Sequence, residues 1–179
     1  MEIIKTHLQD CFILKPRVFE DHRGYFFESY NEATFEQLSG LKVHFVQDNQ
    51  AKSDYGILRG LHFQLGEHAQ AKLVRVLSGR VLDVAVDIRR ESPTYLQHVA
   101  VELSGENQLQ LFVPRGFAHG YVVLESNTVF AYKCDNFYCK AAEGGIRFDD
   151  ATLQIDWKIP MSDVVLSEKD AILLGTDSL

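Results

Sequence analysis

Between residues 42 and 138 the chain is a succession of short apolar runs. "AKLVRVLSG", "RVLDVAVDIR", "LQHVAVELSG", "NQLQLFVPRG" and "AHGYVVLES" are rich in Val and Leu, and Ser-Gly, Arg-Gly or Ser-Asn pairs separate them. Several alternate apolar with polar positions, which predicts strands with one face in a core. Turn residues recurring every eight to twelve positions or so predict a β-sandwich or barrel. One helix is predicted at "NEATFEQLSG", where Asn31 is suited to cap, Phe35 and Leu38 share a face, and Gly40 ends the element. A second is predicted to begin at "SEKDAILL". No linker, repeat or low-complexity segment interrupts the pattern, so a single domain over residues 1–179 is expected.

Composition narrows this picture. At 179 residues the chain can bury a core without disulfides or structural metals. Its formal charge of −7 argues against nucleic acid as the main partner, because such proteins present a basic face. A small anionic ligand held by a few local cations stays open. No apolar run approaches a bilayer-spanning length, and "MEIIKTHLQDCF" lacks a basic region followed by an apolar one, so no membrane partner is expected. Cys11, Cys134 and Cys139 cannot all pair within the chain, which suits a reducing compartment; the cytoplasm is the expected location.

An all-β shell with few helices carries its chemistry on side chains that point into the barrel. "PRGFAHGY" has the pattern P-x-G-x-x-H, which resembles the second motif of the cupin superfamily, whose histidine, here His119, is usually a metal ligand. The first cupin motif is normally H-x-H followed by a carboxylate. Here it reads "HFQ", with Gln64 at the second histidine position and Lys72 in the region of the acid. A protonated ammonium has no lone pair and repels a divalent cation. The expected fold is therefore an all-β, cupin-like double-stranded β-helix, or jelly-roll barrel, with a few short peripheral helices and no metal.

Without a metal, the inward residues are His62, Lys72, Arg59 and His119, a base candidate among cations. Alternation places His62 on the strand face of Gly60 and Gln64, with Arg59 one residue before Gly60. Tyr132 reads either as a barrel-filling aromatic or as a phenol able to deliver a proton to carbon. "SEKD" matches a capping box, in which Ser167 and Asp170 only start a helix; the alternative is a carboxylate that orients an imidazole. "DHRGYFFESYN" offers Arg23 and Glu28, "VQDNQAKS" Gln47, Asp48 and Asn49, and "DNFYCKAAEGGIRFDD" Tyr138 and Glu143. Each of these reads as a solvated loop or edge, or as a contact to a phosphate or a base.

The order of these pieces resembles the dTDP-4-dehydrorhamnose 3,5-epimerase family. The resemblance rests on "DHRGYFFESYN", "FVQDNQAKSDYGILRGLHFQ", "QAKLVRVLSGRVLDVAVDIRRESPTY", "ELSGENQLQLFVPRGFAHGYVVL", "FAYKCDNFY", "EGGIRFDD" and "LSEKDA", and spans about residues 12 to 171. It implies that His62 is a general base, Asp170 its paired acid, Tyr132 the proton donor and Lys72 the neighbour of the substrate's keto oxygen. It assigns Arg23, Glu28, Gln47, Asp48, Asn49, Arg59, His119, Glu143 and Lys169 to substrate binding, and Tyr138 to stacking on thymine. Phe63 stands where many members have Tyr, and "NFYCKAAEGG" differs from the commoner loop.

The implied substrate is a nucleotide sugar, with no cofactor, since the sugar's own ketone activates the carbons beside it. The implied assembly is a homodimer in which Arg23 and Glu28 reach across the interface. Two rivals remain: a 3- or 5-monoepimerase on a related dTDP-4-keto-6-deoxy sugar, and a metal-dependent cupin enzyme.

Overall fold

The computed structural model describes residues 1–179. Its strands, in chain order, are β1 (Glu2–Lys5), β2 (Phe12–Lys15), β3 (Phe19–Asp21), β4 (Gly24–Phe26), β5 (Gln47–Ser53), β6 (Leu58–Gln64), β7 (Lys72–Ser78), β8 (Arg80–Asp87), β9 (His98–Ser104), β10 (Gln110–Val113), β11 (Phe117–Val123), β12 (Thr128–Cys134) and β13 (Glu143–Gly145). Two α-helices, α1 (Glu32–Ser39) and α2 (Glu168–Ala171), accompany them. A six-stranded sheet in the order β1-β2-β10-β7-β12-β5 faces a five-stranded sheet in the order β13-β6-β11-β8-β9, and β3 and β4 form a separate hairpin. All pairings within the two large sheets are antiparallel. Such facing sheets are the jelly-roll solution to hiding two apolar faces at once.

Alternation decides what each strand buries. Val74, Val76, Val81, Ala85, Leu111, Val113, Phe117, Val123 and Phe130 point between the sheets and form the barrel core. The other face of the five-stranded sheet, with Leu58, Leu82, Val84, Ala118 and Val122, is covered by C-terminal residues including Ile146, Leu153 and Trp157. The strands β8 and β11 are therefore buried on both faces, which explains why "VLDVAVD" and "FAHGYVV" read as nearly continuous apolar runs. The outer face of the six-stranded sheet is covered in part by α1, whose Phe35 packs on Phe12 and Phe112.

The α1 caps follow the sequence. Asn31 accepts a hydrogen bond from the Thr34 N–H, and Gly40 adopts a left-handed φ of 72° that closes the last turn. The predicted second helix is a single turn. The carbonyl of Leu174 accepts a bond from the Arg147 N–H at 2.9 Å, so the chain leaves α2 extended along residue 147 and does not continue helical.

Loop 88–97 is tied to the barrel by Asp87, whose side chain is fully buried. It accepts bonds from the Arg89 backbone and guanidinium and from the Ser92 and Thr94 hydroxyls. Burial pushes this carboxyl up, but the donors outweigh it and bring it down from 3.8 to about 2. A depressed carboxyl contributes stability above its unfolded value, and that contribution disappears as pH falls from about 4 towards 2. Chemical denaturation should therefore find Asp87→Asn less stable than the parent by about 2 kcal/mol at neutral pH. The gap should shrink below about pH 3; a gap that stays constant with pH would sink this account.

Candidate active site

A cleft opens between the inner faces of the two sheets, lined on one side by β6 and β11 and on the other by β5, β7 and β12. It has two lobes, of about 400 Å³ and 360 Å³, which share Asn49, His62, Lys72 and Tyr132. The first lobe adds Arg59, His119, Tyr121, Lys169 and Asp170. The second adds Gln47, Gln64, Gln70, Tyr138 and Glu143.

Arg59 and His62 are an odd number of residues apart, so strict alternation would send them to opposite faces of β6. Both line the cleft because the β6–β11 register shifts between the pairs His119↔His62 and Tyr121↔Arg59, with one extra residue in β6. Such a bulge re-aims the side chains beyond it. Gly60 makes room for it at a φ of 124°: a Cβ there would lie 2.5 Å from the Gly120 Cα. The sequence pattern carried no sign of this inversion beyond the two glycines.

His62 donates from Nε2 to the Asp170 carboxylate at 2.5 Å across 108 residues of chain. The carboxylate is almost wholly buried, while His62 is partly open to the cleft. Asp170 also caps: the Ser167 hydroxyl accepts from the Asp170 N–H at 3.1 Å and donates to Asp170 Oδ2 at 2.9 Å. One residue thus closes the first turn of α2 and holds the imidazole. The turn itself is fixed by Val165, which bonds both Gly56 and Leu58 in a parallel bridge beside Ile57, and by Leu173 packed over Gly145. Burial lowers the His62 pKa, Asp170 pulls it back up, and Lys72 and Lys169 lower it again. The net shift is downward and favours the neutral imidazole, with Nδ1 as its free nitrogen.

Lys72 lies opposite Cys134 and Val113 in register and shares the inward face of β7 with Val74 and Val76. No carboxylate reaches its ammonium, and burial lowers its pKa against the pull of Cys134, Asp83 and Glu143. Arg59 bonds only the Ser53 hydroxyl, at 3.2 Å, so the cleft presents two cations free of ion pairs. Tyr132 is half-buried beside Asn49 on β5, and burial raises its pKa, which keeps the phenol protonated. Tyr121, stacked on Phe130 at 4.0 Å, adds a second phenol to the wall.

At the mouth, Tyr138 donates to Glu143 at 2.9 Å, and Glu143 pairs with Lys169. Gln47 links this group to β5 by accepting from the Tyr138 N–H and donating to Asn49. Three sequence candidates lie elsewhere. Arg23 is exposed on the β3–β4 hairpin and paired with Asp21; Glu28 is exposed and accepts from Asn31. Asp48, on the outward face of β5, pairs with Lys133 at 2.8 Å.

Two residues went unnoticed in the sequence. Tyr121 looked like one more apolar strand position. Asp83 is fully buried, with both oxygens 3.0 Å from His119 Nε2. A lone acid inside the apolar run "VLDVAV" was its available signal.

The donors present do not fit a divalent cation. No three His, Cys, Asp or Glu side chains converge, the Gln64 side chain accepts from the Cys139 N–H, and the Lys72 ammonium stands in the same cleft. All three cysteines are free thiols. An imidazole beside unpaired cations and a protonated phenol, set in a cupin-type barrel, is a set of groups able to move protons at carbon.

Comparison with known proteins gives the family. The dTDP-4-dehydrorhamnose 3,5-epimerase family model matches residues 5–176. The epimerase of that name from Salmonella typhimurium is 56% identical over 172 residues, covering 96% of this chain and 93% of its own. The crystal structure of the Elizabethkingia anophelis enzyme superposes with a TM-score of 0.96 at 60% identity, over 99% of this chain and 97% of that one. A Legionella pneumophila relative, solved in complex with dTDP-4-keto-L-rhamnose, gives a TM-score of 0.94 at 46% identity, over 98% and 93% of the two chains. The chain belongs to the dTDP-4-dehydrorhamnose 3,5-epimerase family.

Because Asp170 raises the His62 pKa, Asp170→Asn takes away an upward influence and leaves burial, Lys72 and Lys169 in place. The imidazole should then titrate at a lower pH than in the parent, read by histidine NMR. A midpoint that moves upward would refute the pairing.

Proposed function

We propose that the chain converts dTDP-4-dehydro-6-deoxy-D-glucose to dTDP-4-dehydro-L-rhamnose by inverting C3 and C5. The observation that carries this reading is the His62–Asp170 pair placed in one cleft with unpaired Lys72 and protonated Tyr132. In the substrate the hydrogens on C3 and C5 both lie α to the C4 ketone, so each can leave as a proton if the enolate oxygen is stabilised. His62 takes the proton on one face. Lys72 meets the negative charge as it develops on oxygen, which favours the transition state over the ground state. Tyr132 returns a proton to the opposite face. Each inversion leaves a proton on His62 and removes one from Tyr132, and exchange with water resets both.

The nucleotide end is a matter of charge and stacking. Arg59 and Arg23 neutralise the diphosphate on a chain of net charge −7, and Tyr138 offers its ring to thymine beside Gln47, Asn49, Glu143 and Lys169. Arg23, Glu28 and Asp48 lie away from their own cleft, so in this reading the β3–β4 hairpin and the loop that follows it carry Arg23 and Glu28 to the site of a second copy. The exposed Phe19, Tyr25 and Phe26 of that hairpin supply an apolar contact for a homodimer. The 179 residues act as one domain, and free thiols suit the cytoplasm.

Incubation with the keto sugar in deuterium oxide should label both C3 and C5 of the product. Label at one carbon only would make this chain a monoepimerase. His62→Ala should slow exchange at both carbons by roughly 100- to 10,000-fold while dTDP still binds. Tyr132→Phe should behave differently: His62 can return a proton to the face it came from, so recovered substrate gains label while inverted product falls. Loss of label together with product would refute the division of labour.

A further inference from the structure

We infer that Asp83 is a positioning residue, which fixes the His119 ring so that a defined nitrogen meets the sugar; its kinetic consequence rests on the epimerase reading. Asp83 sits on the inward face of β8 between Val81 and Ala85, with no exposed surface. Apolar side chains fill that row on either side, and an apolar residue would fill this position at no cost in polar burial. A carboxylate is costly there unless it is paired. Its hydrogen bonds all go to one atom, His119 Nε2, reached at 3.0 Å by each oxygen. The bifurcated geometry centres the N–H between the two oxygens and stops the ring from turning about its last torsion. With Nε2 engaged, Nδ1 is the ring's remaining polar atom, and His119 forms part of the cleft wall beside Lys72, Arg59 and His62.

His119 and His62 are also direct cross-strand partners. The cleft therefore contains two neighbouring imidazoles, each held by its own carboxylate. Asp170 holds the one partly open to the cleft, and Asp83 holds the one at its floor. A ring left free to turn would present carbon in place of nitrogen half the time, and misplacement on that scale costs rate more than nucleotide affinity.

Asp83→Leu keeps the branching at Cγ, removes both acceptor oxygens and suits the apolar row. It should lower kcat roughly 10- to 100-fold while dTDP affinity stays within about twofold. Asp83→Asn keeps an oxygen acceptor for Nε2 and should recover most of the rate, a rescue that a charge effect on Lys72 would not give; a packing role, which Asn would also satisfy, is separated by the double variant. Adding Asp83→Leu to His119→Asn should cause no further loss. An Asp83→Asn protein as slow as Asp83→Leu overturns the inference, as does an added loss in the double variant. Nitrogen-15 NMR of the parent protein decides independently of folding or activity: Nε2 of His119 should carry its proton, and a bare Nε2 overturns the inference even if the epimerase reading stands.

Discussion

Burial of both faces of the β6–β11–β8 layer is the constraint on which the rest of the molecule depends. One face closes the barrel core and the other is sealed by the C-terminal segment, so a strand that slipped by one residue would trade side chains fitted to one packed face for those fitted to the other. A register held that firmly can carry polar residues on the inward face and keep them aimed. His119 and Asp83 exploit this directly. His62 and Arg59 need one departure from it, and the bulge is tolerated because Gly60 and Gly120 let two backbones meet where no side chain could fit.

Charge within the cleft is arranged in two ways. Pairs that hold geometry are internally matched: His62 with Asp170, His119 with Asp83, Lys169 with Glu143. Groups left unmatched, Lys72 and Arg59, are those that in the proposed reaction meet negative charge brought by a ligand or made on oxygen. This division explains how an acidic chain can receive a diphosphate. It also explains why Lys72 is poorly solvated before anything binds: an anion at its ammonium restores what burial removes.

Much of this was legible in the sequence because burial writes itself as period. The strands β7 to β12 and the helix α1 follow from alternation, turn residues and caps. The replacement of cupin ligands by Gln64 and Lys72 is visible in the residues themselves. Other features lay beyond that reach. The bulge breaks the period that makes strands readable, so the shared orientation of Arg59 and His62 is a three-dimensional fact. Asp170 reads as an ordinary helix cap, and it is one; its local pattern left a second role open, the family resemblance pointed to His62, and the fold shows its other oxygen bonded there. Asp83 is hard to single out because a strand buried on both faces looks apolar as a whole, which masks the single position that is not.

The separation of 108 residues between His62 and Asp170 ties the chemistry of the cleft to the packing of the C-terminal segment. Every strand of the two large sheets lies before residue 146, so the carboxylate that orients the imidazole comes from a segment that adds no strand to either sheet. That segment also seals the outer face of the five-stranded sheet, with Leu173 docked beside Gly145. Loosening it would uncover the apolar layer and release the imidazole in one event.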